Sequence, residues 1–113
     1  MKKQFEIWLV NLNPSRGVEP GKIRPAVVVQ TNLLNQVNHP STLICPITSQ
    51  LSKEDNILRI RLGVFDTGLE KSSEILIDQI RALDNRRFLE KLGELPKDKA
   101  SELREKLTSI LDL

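Results

Sequence analysis

The 113-residue chain has one cysteine, one histidine, one tryptophan and no tyrosine, and aromatic residues make up only 4% of it. Each scarcity excludes something. With Cys45 alone there is no internal disulfide and no cysteine-ligated metal site, which sets aside the small secreted scaffolds. His39 lies between Asn38 and Pro40, in what reads as a solvent-exposed turn. Without a second imidazole, any catalysis must lean on Arg, Glu, Asp, Thr or Ser. Few aromatics argue against recognition by base stacking, so Trp8 and Phe65 read as core or interface residues. Gly-rich phosphate loops, zinc-ligand spacings and nucleophile elbows are also missing. No segment approaches membrane-spanning length. The start, MKKQFEIWLVNLN, sets two lysines before an apolar patch, but Glu6 and Asn11 interrupt it too early for a signal peptide. A cytoplasmic protein without a membrane partner is expected.

What is present is an ordinary globular balance, 39% hydrophobic and 28% charged, in a length that suits one domain over residues 1–113. The formal net charge of +2 permits an anionic partner without demanding one. Strand-forming runs recur at residues 5–12, 25–30, 42–49, 56–62, 74–83 and 88–95. The run Pro25-Ala-Val-Val-Val-Gln30 lacks polar alternation, as expected of a strand covered on both faces. Pro46 implies an edge or a bulge in its strand. Leu58, Ile60 and Leu62 alternate with Arg59 and Arg61, which form either a basic track or the wet side of a sheet. Thr31 or Asn32 caps a short helix. Beyond Pro96, Ala100, Leu103, Leu107, Ile110 and Leu111 make one stripe at helical spacing. Five or six short strands with a terminal helix predict a mainly β fold: a compact, strongly curved sheet or small barrel.

The chemistry concentrates around GVEPGKIRP, residues 17–25. Pro25 holds Arg24 extended at the mouth of a buried strand. There its guanidinium either presents a planar fork of donors to phosphate or pairs with a carboxylate. Glu19 is a partner for it, a proton acceptor, or an exposed loop glutamate. Thr48 and Ser49 end a strand, where their hydroxyls either donate to phosphate or close a local turn. Asp78 and Arg81 flank Gln79-Ile80 near a strand end and form a local salt bridge or part of a groove. Arg86, Arg87 and Lys53 read as solvated charge.

Together these residues resemble the MazF/PemK family of toxin endoribonucleases from type II toxin–antitoxin modules. The resemblance runs through IWLVNLNPSRG, GVEPGKIRPAVVVQ, STLICPITS and ILIDQIRALDNRR. Its most specific element is Gly-x-Glu-x-x-x-x-Arg-Pro, matched by Gly17, Glu19, Arg24 and Pro25; Pro-x-Thr-Ser is matched by Pro46, Thr48 and Ser49. The resemblance implies an SH3-like barrel of curved antiparallel strands with a short helix and a C-terminal helix, usually a symmetric homodimer. It further implies sequence-specific cleavage of single-stranded RNA, without metal or other cofactor, by attack of the 2′-hydroxyl. Arg24, Thr48 and Glu19 are then the catalytic positions, and Ser49, Lys22, Asp78, Arg81, Arg16 and Arg86 the RNA-binding ones. A cognate antitoxin with an acidic, flexible segment would occupy the same groove. Where some relatives carry histidine before the loop glutamate and arginine two residues before the aspartate, this chain has Val18 and Leu76. Two other readings use the same barrel: a toxin that binds DNA gyrase and cuts nothing, and a plain RNA-binding module.

Overall fold

The structure is a computed structural model that describes residues 2–13, 17–18, 22–54, 56–65 and 67–113. Arg16 and Glu19 therefore lie outside the described residues. The elements run β1 (Glu6–Asn11), β2 (Ile23–Val28), α1 (Asn32–Gln36), β3 (Ser41–Thr48), β4 (Arg59–Leu62), β5 (Ser73–Leu76), β6 (Arg81–Asp84), β7 (Phe88–Glu94) and α2 (Lys97–Leu111). The strands form one antiparallel sheet in the order β4-β5-β3-β2-β1-β7, with β6 paired to β3 beside this path. The expected mainly β architecture with a short helix and a C-terminal helix is present. Among the described residues no ladder joins β4 to β7, so the curved sheet is not closed.

Helix α2 packs on the first core, between β4 and the residues just ahead of β1. Leu103 is fully buried in the core, with Ala100, Leu107 and Ile110 packed around it. Leu111, expected on the same stripe, is 50% exposed at the helix end. On one side Lys106 Nζ donates to the Arg59 carbonyl of β4 at 3.0 Å. On the other, Arg104 lies 4.9 Å over the Phe5 ring and donates to Gln4 just ahead of β1.

The unalternating run in β2 is explained by a core on each face. Val27 joins Ile7, Cys45, Ile47, Ile75, Ile77 and Leu103 on one side. Ala26 and Val28 join Val10, Leu12, Ile44 and Leu83 on the other. β1 serves both clusters because its alternate side chains point to opposite faces, Ile7 to the first and Trp8, Val10 and Leu12 to the second. Trp8 packs edge-on against Phe88, ring centres 5.9 Å apart, whereas Phe65 is 87% exposed. Thr31, not Asn32, caps α1, its hydroxyl accepting from Leu33 N–H at 3.3 Å.

Two strand expectations change. The run 74–83 is not one strand: a 3-10 turn at Ile77–Gln79 divides β5 from β6. β3 explains the break. One edge pairs with β2 through Ile44–Pro46, while the other pairs with β6 through Ser41–Ile44 and with β5 through Ile47–Thr48. Pro46 is therefore neither at an edge nor exposed. It sits in an interior strand, between the stretches that serve β6 and β5, where a missing N–H breaks no ladder.

Leu103→Ala should cost about 2–5 kcal/mol, the usual cost of an aliphatic deletion that leaves a core cavity. Urea unfolding followed by circular dichroism checks this, and a loss below 1 kcal/mol would mean that α2 does not close the core.

Candidate functional site

A cleft of about 550 Å³ opens where β2 and β3 stop pairing. Its floor is apolar, made by Leu9, Pro25, Ile47, Leu69 and Leu92, and its rim carries Lys22, Arg24, Thr48, Ser49, Gln50, Glu70, Lys71 and Glu90. The last β2–β3 pair is Ala26↔Pro46. Two residues further along each strand, the same register sets Arg24 across from Thr48. Successive pairs then carry the row outward: Thr48 is paired with Glu74 on β5, and Glu74 with Arg61 on β4. Directly opposite residues share a sheet face, so one row of polar side chains runs across β4, β5 and β3 to the mouth of β2.

The structure thus brings together four of the sequence-selected residues, Lys22, Arg24, Thr48 and Ser49. Asp78 is exposed on the 3-10 turn after β5, and Arg81 is half-buried on β6 opposite Ile44. Neither lines the cleft, nor does Arg86. The Arg86 guanidinium instead forks onto Asp84, at 2.9 and 3.1 Å.

The β2 side of the cleft is held by main-chain contacts. Lys22 adopts φ 70°, an uncommon conformation for a side-chain-bearing residue, at a cost of about 1–3 kcal/mol. Its N–H donates to Asn13 Oδ1 at 2.6 Å and its carbonyl accepts from Leu12 N–H at 2.8 Å. Arg87, read from sequence as solvated charge, donates to the carbonyls of Asn11 and Asn13. A guanidinium from the turn just ahead of β7 therefore pins the end of β1, and Asn13 in turn pins the start of β2. On the cleft floor Gly68 has φ 73°, and a Cβ there would overlap the Leu92 carbonyl. Only glycine lets these two backbones approach so closely.

The β3 side is held by a carboxylate that sequence reading missed. Glu74 is 3% exposed. It accepts from Ser52 N–H at 2.9 Å, Ser52 Oγ at 3.0 Å, Arg59 Nη1 at 3.0 Å and Arg61 Nε at 3.0 Å. The arginines also reach loop carbonyls: Arg59 Nη1 donates to Gln50 at 3.0 Å and Arg61 Nη2 to Ser52 at 3.4 Å. Gln50 N–H donates to Thr48 Oγ1 at 3.1 Å, so Thr48 closes the local turn. Its own hydroxyl hydrogen has no acceptor among the described residues. The overlooked signal was one carboxylate in an apolar strand facing two arginines two residues apart on its neighbour.

Burial pushes the Glu74 carboxyl up, but the donors from Ser52, Arg59 and Arg61 outweigh it and hold it down at about 2. Burial pushes the Cys45 thiol up to about 12, with Asp78 adding to the effect, so it is no nucleophile at neutral pH. Among the described residues, the cleft combines cations and hydroxyls with the rim carboxylates Glu70 and Glu90.

A family model described as PemK-like, MazF-like toxin of type II toxin–antitoxin system matches residues 3–111. The chain is 33% identical over 103 residues to Endoribonuclease MazF of Staphylococcus saprophyticus, covering 91% of this chain and 85% of that protein. Among solved structures, MazF from Deinococcus radiodurans superimposes with a TM-score of 0.83 at 32% identity, over 99% of this chain and 97% of the other. A MazE–MazF structure from the same organism superimposes at 0.78 and 30% identity, over 99% and 97%.

The depressed Glu74 carboxyl has a definite sign. Its folded value lies below the unfolded one, so its contribution to stability is complete above about pH 4.5 and disappears as pH falls towards 2. Thermal melts across that window should show a shallower loss of Tm for Glu74→Gln than for the wild type. The remaining slope would come from Asp84, held at about 2 by the Arg86 side chain, and from Glu6, whose burial is outweighed by hydrogen bonds from Lys3, Trp8 and Lys91. Identical slopes would contradict the assignment.

Proposed function

The chain belongs to the PemK-like, MazF-like family of toxins of type II toxin–antitoxin systems and is an endoribonuclease of that family; we propose that it cuts single-stranded RNA at a preferred sequence, without a metal, by attack of the substrate's own 2′-hydroxyl. The observation that carries this reading is the seating of Arg24 and Thr48 on one cleft, at the facing ends of adjacent strands.

RNA supplies the nucleophile that the chain lacks. The 2′-oxygen attacks the adjacent phosphorus and the P–O5′ bond breaks, leaving a 2′,3′-cyclic phosphate and a 5′-hydroxyl. One proton leaves the 2′-hydroxyl and one reaches the departing O5′. Arg24 faces the phosphoryl oxygens, where its permanent charge stabilises the trigonal-bipyramidal transition state. Thr48 donates its hydroxyl hydrogen to a non-bridging oxygen and keeps the phosphate aligned for in-line displacement. Glu19 is assigned to activating the 2′-hydroxyl or orienting Arg24. Lys22 and Ser49 hold neighbouring phosphates along the rim, and Arg16 extends the track. A groove continued across a symmetric homodimer takes in Asp78, Arg81 and Arg86.

Cleavage of messenger RNA in the cytoplasm stops translation and growth. Restraint falls to a cognate antitoxin whose flexible acidic segment lies in the groove and pairs with Arg24 and its neighbours. Support comes from the MazE–MazF structures of Deinococcus radiodurans, which resemble this chain over nearly its whole length.

Purified protein should cut a mixed RNA pool in EDTA, yielding 5′-hydroxyl fragments. A 2′-deoxy nucleotide at the attacking position should abolish the cut. Arg24→Ala should lose roughly a hundred- to thousandfold in kcat while remaining folded. Full turnover by that variant removes Arg24 from the mechanism. Intact RNA accompanied by inhibited DNA gyrase would replace the nuclease with a gyrase-binding toxin.

A further inference from the structure

We propose that Glu74 is a positioning residue for cleavage, orienting Thr48 through Arg59 and Gln50; the proposal rests on the nuclease reading above. The path is continuous. Glu74 Oε1 accepts from Arg59 Nη1 at 3.0 Å, and the same nitrogen donates to the Gln50 carbonyl at 3.0 Å. Gln50 N–H then donates to Thr48 Oγ1 at 3.1 Å. With one lone pair of Oγ1 engaged by a fixed donor, the directions open to the hydroxyl hydrogen are restricted. Moving Gln50 changes where that hydrogen points.

Among the described residues little else holds this wall. Gln50, Lys53 and Glu54 are exposed, and Leu51 is 42% exposed, so apolar packing cannot set the loop that follows Thr48. The carboxylate network reaches it at both Gln50 and Ser52. Ser52 donates its N–H and hydroxyl to Glu74, while its carbonyl accepts from Arg61. A carboxylate that served stability alone would need only its two arginines, and a buried ion pair is often no better than apolar packing of similar volume. Here the charge is spent on loop backbone. Glu74 is also the residue paired with Thr48 in the β3–β5 ladder, so strand register and hydrogen-bond path converge on the same hydroxyl.

The test is a double-mutant cycle on a defined RNA substrate, with kcat and KM measured separately below the melting temperature of every variant. Glu74→Gln keeps the volume and removes the charge. Arg59→Met keeps the stem and removes the bridging donor, and serves equally if Glu74→Gln does not fold. Either change should lower kcat roughly ten- to hundredfold, with a smaller change in KM, as expected of misplacement near the reacting atoms. In a Thr48→Ala background the same change should cost less than twofold, because the hydroxyl it orients is gone. Losses that multiply instead, or a kcat that stays at the wild-type value while Tm falls, overturn the positioning role and leave Glu74 structural. Wild-type protein that cuts no RNA overturns the nuclease reading, and this proposal with it.

Discussion

β3 cannot serve a single neighbour along its second edge, and much of the molecule follows from that constraint. Ser41–Ile44 face β6 and Ile47–Thr48 face β5, with Pro46 between them offering no N–H to either. The 3-10 turn at Ile77–Gln79 fills the interval, and Ile77 drops into the core beside Cys45 and Ile47. Alternation along β1, β2 and β3 places apolar side chains on both faces, giving two core clusters in a chain of modest length. β2 and β3 stop pairing before either strand ends, and the cleft opens there.

The walls of the cleft are then set by hydrogen bonds to backbone groups, not by aromatic packing. On the β2 side, Arg87 pins the end of β1 and Asn13 pins Lys22. On the β3 side, Glu74 gathers Arg59, Arg61 and Ser52. Both clamps use charged donors or acceptors, which make shorter and stronger hydrogen bonds than neutral pairs. Both begin on residues distant in sequence from the strand ends they hold. A chain with so few large rings builds a rigid rim from guanidinium groups, whose planar forks can satisfy a carboxylate and a carbonyl together. Arg59 does so with a single nitrogen.

For the proposed reaction, in which the substrate brings its own nucleophile, such rigidity would have a direct chemical use. Positioning and charge stabilisation are what the protein must supply, and both decline steeply when donors move by a fraction of an ångström. The cleft offers a cation at one strand end and a hydroxyl at the other, above an apolar floor. The carboxylates at its rim, Glu70 and Glu90, are poor neighbours for phosphate.

The amino-acid sequence by itself determined the classes of element, because apolar periodicity, proline and turn residues act locally. β2 was legible from its unalternating valines, α2 from its stripe, and Arg24 from the proline that follows it. Thr48 and Ser49 were legible as a strand end, and the family resemblance drew them together with Arg24. The split of residues 74–83 was hidden, since both halves are apolar and only the partners of β3 separate them. Arg87 looked like solvated charge, and Arg59 and Arg61 like a basic track or the wet side of a sheet, because their acceptors lie elsewhere in the fold. Glu74 looked like one polar residue in a strand for the same reason. Register between strands, and the burial that follows from it, arise from contacts between residues far apart in the chain, so tertiary structure alone decided which charges became anchors.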